Sequence, residues 1–348
     1  MISPTEPSDN TSEPVIEIRN LVKKYAGTTA VNEVSFAVNC GEIVGFLGPN
    51  GAGKSTTMRI LTGFIPATSG TATVCGHSVS GEADKIRPKL GYMPENNPLP
   101  EDLRVGEYLR LRGKLKGLRG KNLRDQIDLV LEKCDLTRSR RRIIGTLSKG
   151  FRQRVGIAEA IIADPEIIIM DEPTIGLDPH QIAMIRDLIT SLKRRMTILI
   201  SSHILPEIEM TCDRVIIINA GRIVASDTPR NLRREFVPGA RYEAEWSGDE
   251  DLLLGHLQNL DPEFKISRAE EELASEETDF RTIHLHSKED KEFGEDLIQA
   301  LTKEPSFRLR SLHRKDPTLE EVFMAATKRS WEVVMPEAPV TPETQNGD

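Results

Sequence analysis

The chain has 348 residues, 38% of them hydrophobic and 29% charged, enough for one substantial core and a smaller second one. Aromatic residues make up only 5%, which argues against a surface for stacking nucleic-acid bases. The net charge of −8 is unevenly shared: residues 241–348 carry 13 Lys and Arg against 26 Asp and Glu, and residues 1–240 carry 33 against 28. A mildly basic front suits an anionic ligand or an anionic membrane surface, an acidic back argues against DNA there, and the step is better evidence for a domain boundary than for a partner.

Residues 1–14 are rich in Pro, Ser, Thr and acids and hold no Lys, Arg or apolar run. They are expected as a disordered tail rather than a secretory signal. No stretch approaches the roughly 20 apolar residues needed to cross a bilayer, so a membrane role is expected to run through a partner. Cys40, Cys75, Cys134 and Cys212 lie far apart, which disfavours a zinc or redox motif and fits a reducing cytosol. Strands are expected at 15–18, 31–38 and 43–47, the last running into a glycine-rich loop and a helix from about Lys54. Further strands at 167–170, 197–201 and 215–218, separated by helical stretches, indicate an α/β domain with a largely parallel sheet.

The loop after the third strand, Gly48-Pro49-Asn50-Gly51-Ala52-Gly53-Lys54-Ser55-Thr56, fits G-x-x-x-x-G-K-[ST] at every fixed position. Its glycines let the backbone wrap a polyphosphate, and the following helix aims its positive end at the same charge. Lys54 is expected at the β- and γ-phosphates, and the Ser55 hydroxyl at Mg²⁺. The run Ile167-Ile168-Ile169-Met170 reads as a strand buried on both faces, ending in Asp171-Glu172-Pro173. Acids at the carboxyl end of such a strand stand in the ligand crevice. There Asp171 can hold the Mg²⁺ shell, and Glu172 can orient or deprotonate the water that attacks a γ-phosphate.

With Leu147-Ser148-Lys149-Gly150-Phe151 between them, these motifs resemble the ATP-binding-cassette (ABC) superfamily, whose signature loop is generally LSGGQ. Gly176-Leu177-Asp178-Pro179 looks like the loop that follows the acids in that family. His203, in Ser201-Ser202-His203, looks like its switch histidine, and Tyr25 like the aromatic that stacks on adenine. The resemblance covers residues 15–238 and implies a P-loop cassette that binds and hydrolyses MgATP at the cytoplasmic face of a membrane. It also implies a dimer of two such chains, or of this chain with a related one, in which Ser148 and Gly150 act in trans on the partner's ATP. The dimer would drive a permease on a separate chain. Two departures stand out. Lys149 and Phe151 replace the first glycine and the glutamine of the signature. Glu95, in Gly91-Tyr92-Met93-Pro94-Glu95, stands where a glutamine commonly senses Mg²⁺ and the membrane partner, so it joins Ser55 and Asp171 on the metal side. Such replacements resemble a bacterial export branch.

Beyond a helix and linker at 228–238 the pattern restarts as extended 241–246, helical 252–260, extended 264–268 and 280–286, helical 293–302 and extended 307–313. That order, β-α-β-β-α-β, is the layout of a ferredoxin-like α+β accessory domain over 239–330, with a disordered tail at 331–348. Pro317 to Phe323 resembles a closing segment of export ATPases. The competing class, a soluble ABC mechanoenzyme on ribosome or DNA, generally carries two cassettes or a long coiled coil. This chain has one cassette, no sustained heptads and an acidic back end, so no nucleic-acid partner is expected.

Overall fold

The computed structural model describes residues 14–193, 195–268, 279–288 and 291–334, and divides between Thr228 and Pro229 into two compact units. Most of both expected tails, 1–13 and 335–348, lies outside the described residues.

The first unit opens with an antiparallel hairpin, β1 (Ile16–Tyr25) and β2 (Thr28–Val38). Ile16, Ile18, Leu21, Val34, Phe36 and Val38 point into the core from these strands. β3 (Ile43–Leu47) then leads through the glycine-rich loop into α1 (Lys54–Leu61). β4 (Ser69–Val74) and β5 (His77–Ser78) complete a four-stranded antiparallel sheet, ordered β2-β1-β4-β5. The sequence pattern points to one largely parallel sheet and does not reveal this second one. In β4 only Ala72 and Val74 are buried, so its Ser-Gly-Thr start carries no alternation to read.

After α2 (Ala83–Ile86) and β6 (Leu90–Met93) come three mutually packed helices, α3 (Val105–Leu115), α4 (Gly120–Lys133) and α5 (Lys149–Ile161). The inward face of α4, Leu123, Ile127, Val130 and Leu131, follows the helical i, i+4, i+7, i+8 spacing. β7 (Ile167–Asp171), α6 (Pro179–Leu192), β8 (Thr197–Ser202), α7 (Leu205–Thr211), β9 (Arg214–Asn219) and β10 (Arg222–Asp227) finish the unit. Its six-stranded sheet runs β10-β9-β3-β8-β7-β6, parallel except for β10. β3, β7 and β8 are buried along their whole length, the reason they read as continuous apolar runs. Because these three strands are neighbours, the glycine-rich loop, the acid pair and the Ser202-His203 segment leave the same edge of the sheet side by side.

The second unit holds α8 (Pro229–Phe236), β11 (Ala240–Ser247), α9 (Glu250–Gln258), β12 (Lys265–Arg268), β13 (Arg281–Ser287), α10 (Gly294–Leu301), β14 (Arg308–Arg314) and α11 (Leu319–Val334). Its antiparallel sheet is ordered β12-β13-β11-β14, the ferredoxin-like arrangement. Alternate residues of β11, from Ala240 to Trp246, face a core shared with Leu253, Phe264, Phe293 and Leu297. Two boundaries differ from the sequence reading. α8 groups with this unit rather than closing the first, and α11 continues to Val334, so residues 331–334 are helical rather than tail.

Candidate functional site

The phosphate loop has the shape its glycines permit. Gly53 stands at φ +106°, and a Cβ there would lie 2.5 Å from the Ala30 carbonyl oxygen. A Cβ on Gly48 would lie 2.3 Å from the Ile218 carbonyl oxygen. Both contacts are with backbone and cannot give way. Pro49, Asn50 and Gly51 form the exposed tip, and the buried Ala52 donates its N–H to the Pro49 oxygen at 3.2 Å. Lys54 is 6% exposed and bends back on the loop, donating to the carbonyls of Gly48 at 2.7 Å and Pro49 at 3.3 Å. Ser55 and Thr56 follow, half-buried, in the first turn of α1.

Strand pairing sets Asp171 opposite Ser201 across β7 and β8. Asp171, 1% exposed, accepts hydrogen bonds on Oδ1 from Ser201 Oγ at 2.5 Å and Ser55 Oγ at 3.2 Å. Glu172 has the left-handed φ of +50°, uncommon for a residue with a side chain. Its N–H donates to the carbonyl and hydroxyl oxygens of Ser201, at 3.2 and 3.1 Å. That twist turns its carboxylate away from the strand, with Oε1 3.4 Å from Lys54 Nζ and Oε2 2.7 Å from His203 Nδ1. Loop, acid and histidine thus form one connected chain.

A magnesium nucleotide fits these donors. Ser55 Oγ and the Asp171 carboxylate are hard oxygens already in contact, and Mg²⁺ characteristically takes one or two such groups alongside phosphate oxygens. A buried, oriented carboxylate with Lys54 beside it can take a proton from water next to a phosphate.

The other expected residues stand apart from this cluster. Glu95 is half-buried in the loop after β6 and has no hydrogen bond or ion pair with Ser55 or Asp171. Its charge, after those of burial and Asp171, helps push the Tyr92 hydroxyl up to about 12. Tyr25 is exposed at the end of β1, its ring under Lys23 Nζ at 5.1 Å; its hairpin borders the loop where Ala30 approaches Gly53. Ser148 is the exposed N-cap residue of α5. Gly150 is buried where a Cβ would meet Gln181 at 2.5 Å. Neither bonds to the phosphate loop among the described residues. The signature departures are packed in place. The Lys149 ammonium lies 2.4 Å from where a Cβ on Gly176 would be, and Phe151 lies under the Arg154 guanidinium at 4.3 Å. Asp178 caps α6, accepting from the Gln181 N–H at 2.9 Å.

Three participants escape sequence reasoning. Ser201 reads only as strand, although it touches both acids. Thr174 donates its hydroxyl to Glu207, which sits four residues after His203, at the start of α7. The spacing His-x-x-x-Glu across a helix start is the available signal.

The sequence profile of a family described as ABC transporter matches residues 31–175. The chain is 38% identical over 229 residues to ATP-binding cassette sub-family A member 2 of Rattus norvegicus, a match covering 65% of this chain and 9% of that protein. It is 36% identical to Nod factor export ATP-binding protein I of Ralstonia nicotianae, covering 64% of this chain and 69% of the relative. With the linearmycin resistance ATP-binding protein LnrL of Bacillus subtilis it shares 32% identity over 320 residues, 91% of this chain and 99% of the relative. Among solved structures, an ATP-binding subunit of an ABC transporter superposes with a TM-score of 0.59 at 32% identity, covering 64% of this chain and 93% of that one. A dimeric post-hydrolysis ATP-binding cassette bound to ADP and Pi gives a TM-score of 0.57 at 26% identity, covering 61% and 98%.

Proposed function

Since this chain belongs to the ATP-binding-cassette transporter family, we propose that it is the MgATP-hydrolysing subunit of an exporter, acting as a dimer on a permease carried by a separate chain. The observation that carries this reading is the chain of contacts from buried Lys54 through buried Glu172 to the exposed His203, beside the Ser55–Asp171 contact. Mg²⁺, held with the nucleotide by Ser55 and Asp171, would neutralise charge developing on the phosphates.

The side chains divide the rest of the work. An arriving triphosphate draws Lys54 away from the Gly48 and Pro49 carbonyls and from Glu172. Glu172 Oε1 is then free to face a water, while His203 still holds Oε2 in position. As the water oxygen attacks the γ-phosphorus and the bond to the ADP oxygen breaks, Glu172 takes the water's proton. Ser148, with Gly150 and the positive end of α5, makes no bond to its own phosphate loop among the described residues and would be offered to the ATP of a second cassette. Closure of that dimer would favour one permease conformation through contacts made in the closed state alone.

Export is supported by the relatives named for Nod factor export and linearmycin resistance. No described helix is long and apolar enough to cross a membrane, and the peripheral cytoplasmic placement belongs to the same reading. A groove of 800 Å³ that includes Phe64, Tyr92, Pro94 and Leu115 adjoins Glu95. With Phe64 and Leu115 exposed, it offers the permease an apolar seat next to the strand pair that holds the acids.

The direct test is steady-state MgATPase and size-exclusion chromatography of wild type and Glu172→Gln. Turnover is expected to fall at least about a hundredfold, roughly 2.7 kcal/mol of barrier, with ATP now trapping a dimer. Persistent turnover would remove Glu172 from the mechanism.

A further inference from the structure

The second unit is acidic, with 16 Lys and Arg against 27 Asp and Glu over residues 229–348. Six of those sixteen cations nevertheless line a single cavity of 580 Å³: Arg230, Arg233, Arg234, Arg241, Arg314 and Lys315. Asp316 is the only acid among the described residues of the lining. A statistical scatter of surface charge would not gather cations in this way inside an acidic domain.

Three elements deliver them. Arg230, Arg233 and Arg234 stand at i, i+3 and i+4 on α8 and so share one face, where like charges repel. Arg241 lies near the start of β11, and Arg314 and Lys315 at the end of β14. These strand ends are adjacent, since Tyr242 pairs with Arg314 and the Lys315 N–H donates to the Arg241 carbonyl at 2.8 Å. Carboxylates outside the lining hold the strand cations in place: Arg241 pairs with Glu321, Arg314 with Glu292, and Lys315 with Glu243 at 3.2 Å. Arg230, on the facing helix, has no ion pair among the described residues.

We propose that this cavity is a binding site for a phosphate-bearing anion, separate from the phosphate loop of the first unit. Two features choose phosphate over diffuse attraction. Five of the six cations are Arg, whose planar fork pairs two N–H groups with two oxygens of an oxyanion, where Lys offers a point charge. They also come from a helix on one side and two adjacent strand ends on the other, which suits a tetrahedral group with several oxygens better than a flat carboxylate. The cavity lies within the usual size range of small-ligand sites, roughly 300–1,000 Å³. The phosphate could come free in solution or on a lipid headgroup.

The test is calorimetric titration of the full-length Lys54→Ala chain, in which the competing phosphate loop is crippled, with inorganic pyrophosphate at fixed ionic strength. Flotation with phosphatidylglycerol vesicles, against phosphatidylcholine vesicles, runs in parallel. Adding Arg230→Glu and Arg234→Glu, both at exposed positions, is expected to weaken binding at least tenfold. The neutral pair Arg230→Gln and Arg234→Gln, checked for an unchanged circular-dichroism spectrum, is expected to weaken it less. Pyrophosphate binding lost with these variants assigns a soluble ligand, and vesicle binding alone assigns a headgroup. Affinity indifferent to both pairs, or no binding of either probe, overturns the site.

Discussion

Glu207 receives the Thr174 hydroxyl on Oε2, while its Oε1 is buried without a hydrogen-bond partner among the described residues. Burial pushes its carboxyl above the ordinary value of 4.5, and the Glu172 charge nearby adds to the rise. A carboxyl raised on folding stabilises the native chain while it is protonated. That contribution is whole below about pH 4.5 and fades as pH climbs through the raised value. Glu207→Gln keeps the acceptor for Thr174 and removes the titration. Urea unfolding between pH 5 and 8 is therefore expected to show wild type losing stability relative to the variant as pH rises. Parallel curves would show that Glu207 does not titrate there. The contact itself is illegible in the sequence for a physical reason: beyond the four-residue spacing from His203, its partner Thr174 lies on a different loop. Lys54 is legible from the glycine spacing of its own loop, and Asp171 and Glu172 from the apolar run that precedes them, each within a single short segment.

Between elements, α7 packs closely on β3 in the central sheet. A Cβ on Gly45 would lie 2.6 Å from Ile208 Cγ2 and 3.0 Å from Cys212 Sγ. The glycine in the middle of a buried strand, ordinarily a weak choice there, is the gap into which the helix fits. Gly45→Ala is expected to destabilise the chain by about 1–3 kcal/mol through overpacking, read as a lower urea midpoint with an unchanged slope. An unaltered midpoint would mean that α7 moves aside freely. In the sequence Gly45 is one more member of an apolar run, since nothing along β3 reveals which helix crosses it. β3, β7 and β8 are legible because burial on both faces leaves a run of apolar residues, and the second unit because β11 alternates cleanly. β4 is not, because a strand whose first three residues are exposed carries little apolar signal.

At the scale of the whole molecule, each unit closes a core of its own. The first is built on residues such as Ile18, Phe46, Met58 and Ile216, and the second on Trp246, Phe264, Phe293 and Leu297. Trp246 donates its ring N–H to the Leu301 carbonyl at 3.0 Å, a buried polar tie inside the second unit. A chain ending at Thr228 is therefore expected to unfold cooperatively and keep its ATP affinity within about threefold, measured by thermal melting and nucleotide titration. A broad, uncooperative melt would show that the cassette depends on the second unit for its stability. The match to LnrL over 320 residues extends through both units, so the pairing of cassette and second unit is shared with a resistance protein.

The left-handed backbone at Glu172 has an evolutionary corollary. A residue with a side chain held there costs of order 1–2 kcal/mol, a burden that Gly escapes and Asn largely escapes. Drift at this codon towards either would relax the fold while silencing the acid. Under the role proposed for Glu172, copies that have lost the glutamate should then be the more robust ones, and its retention in a lineage would point to selection on turnover rather than on the fold.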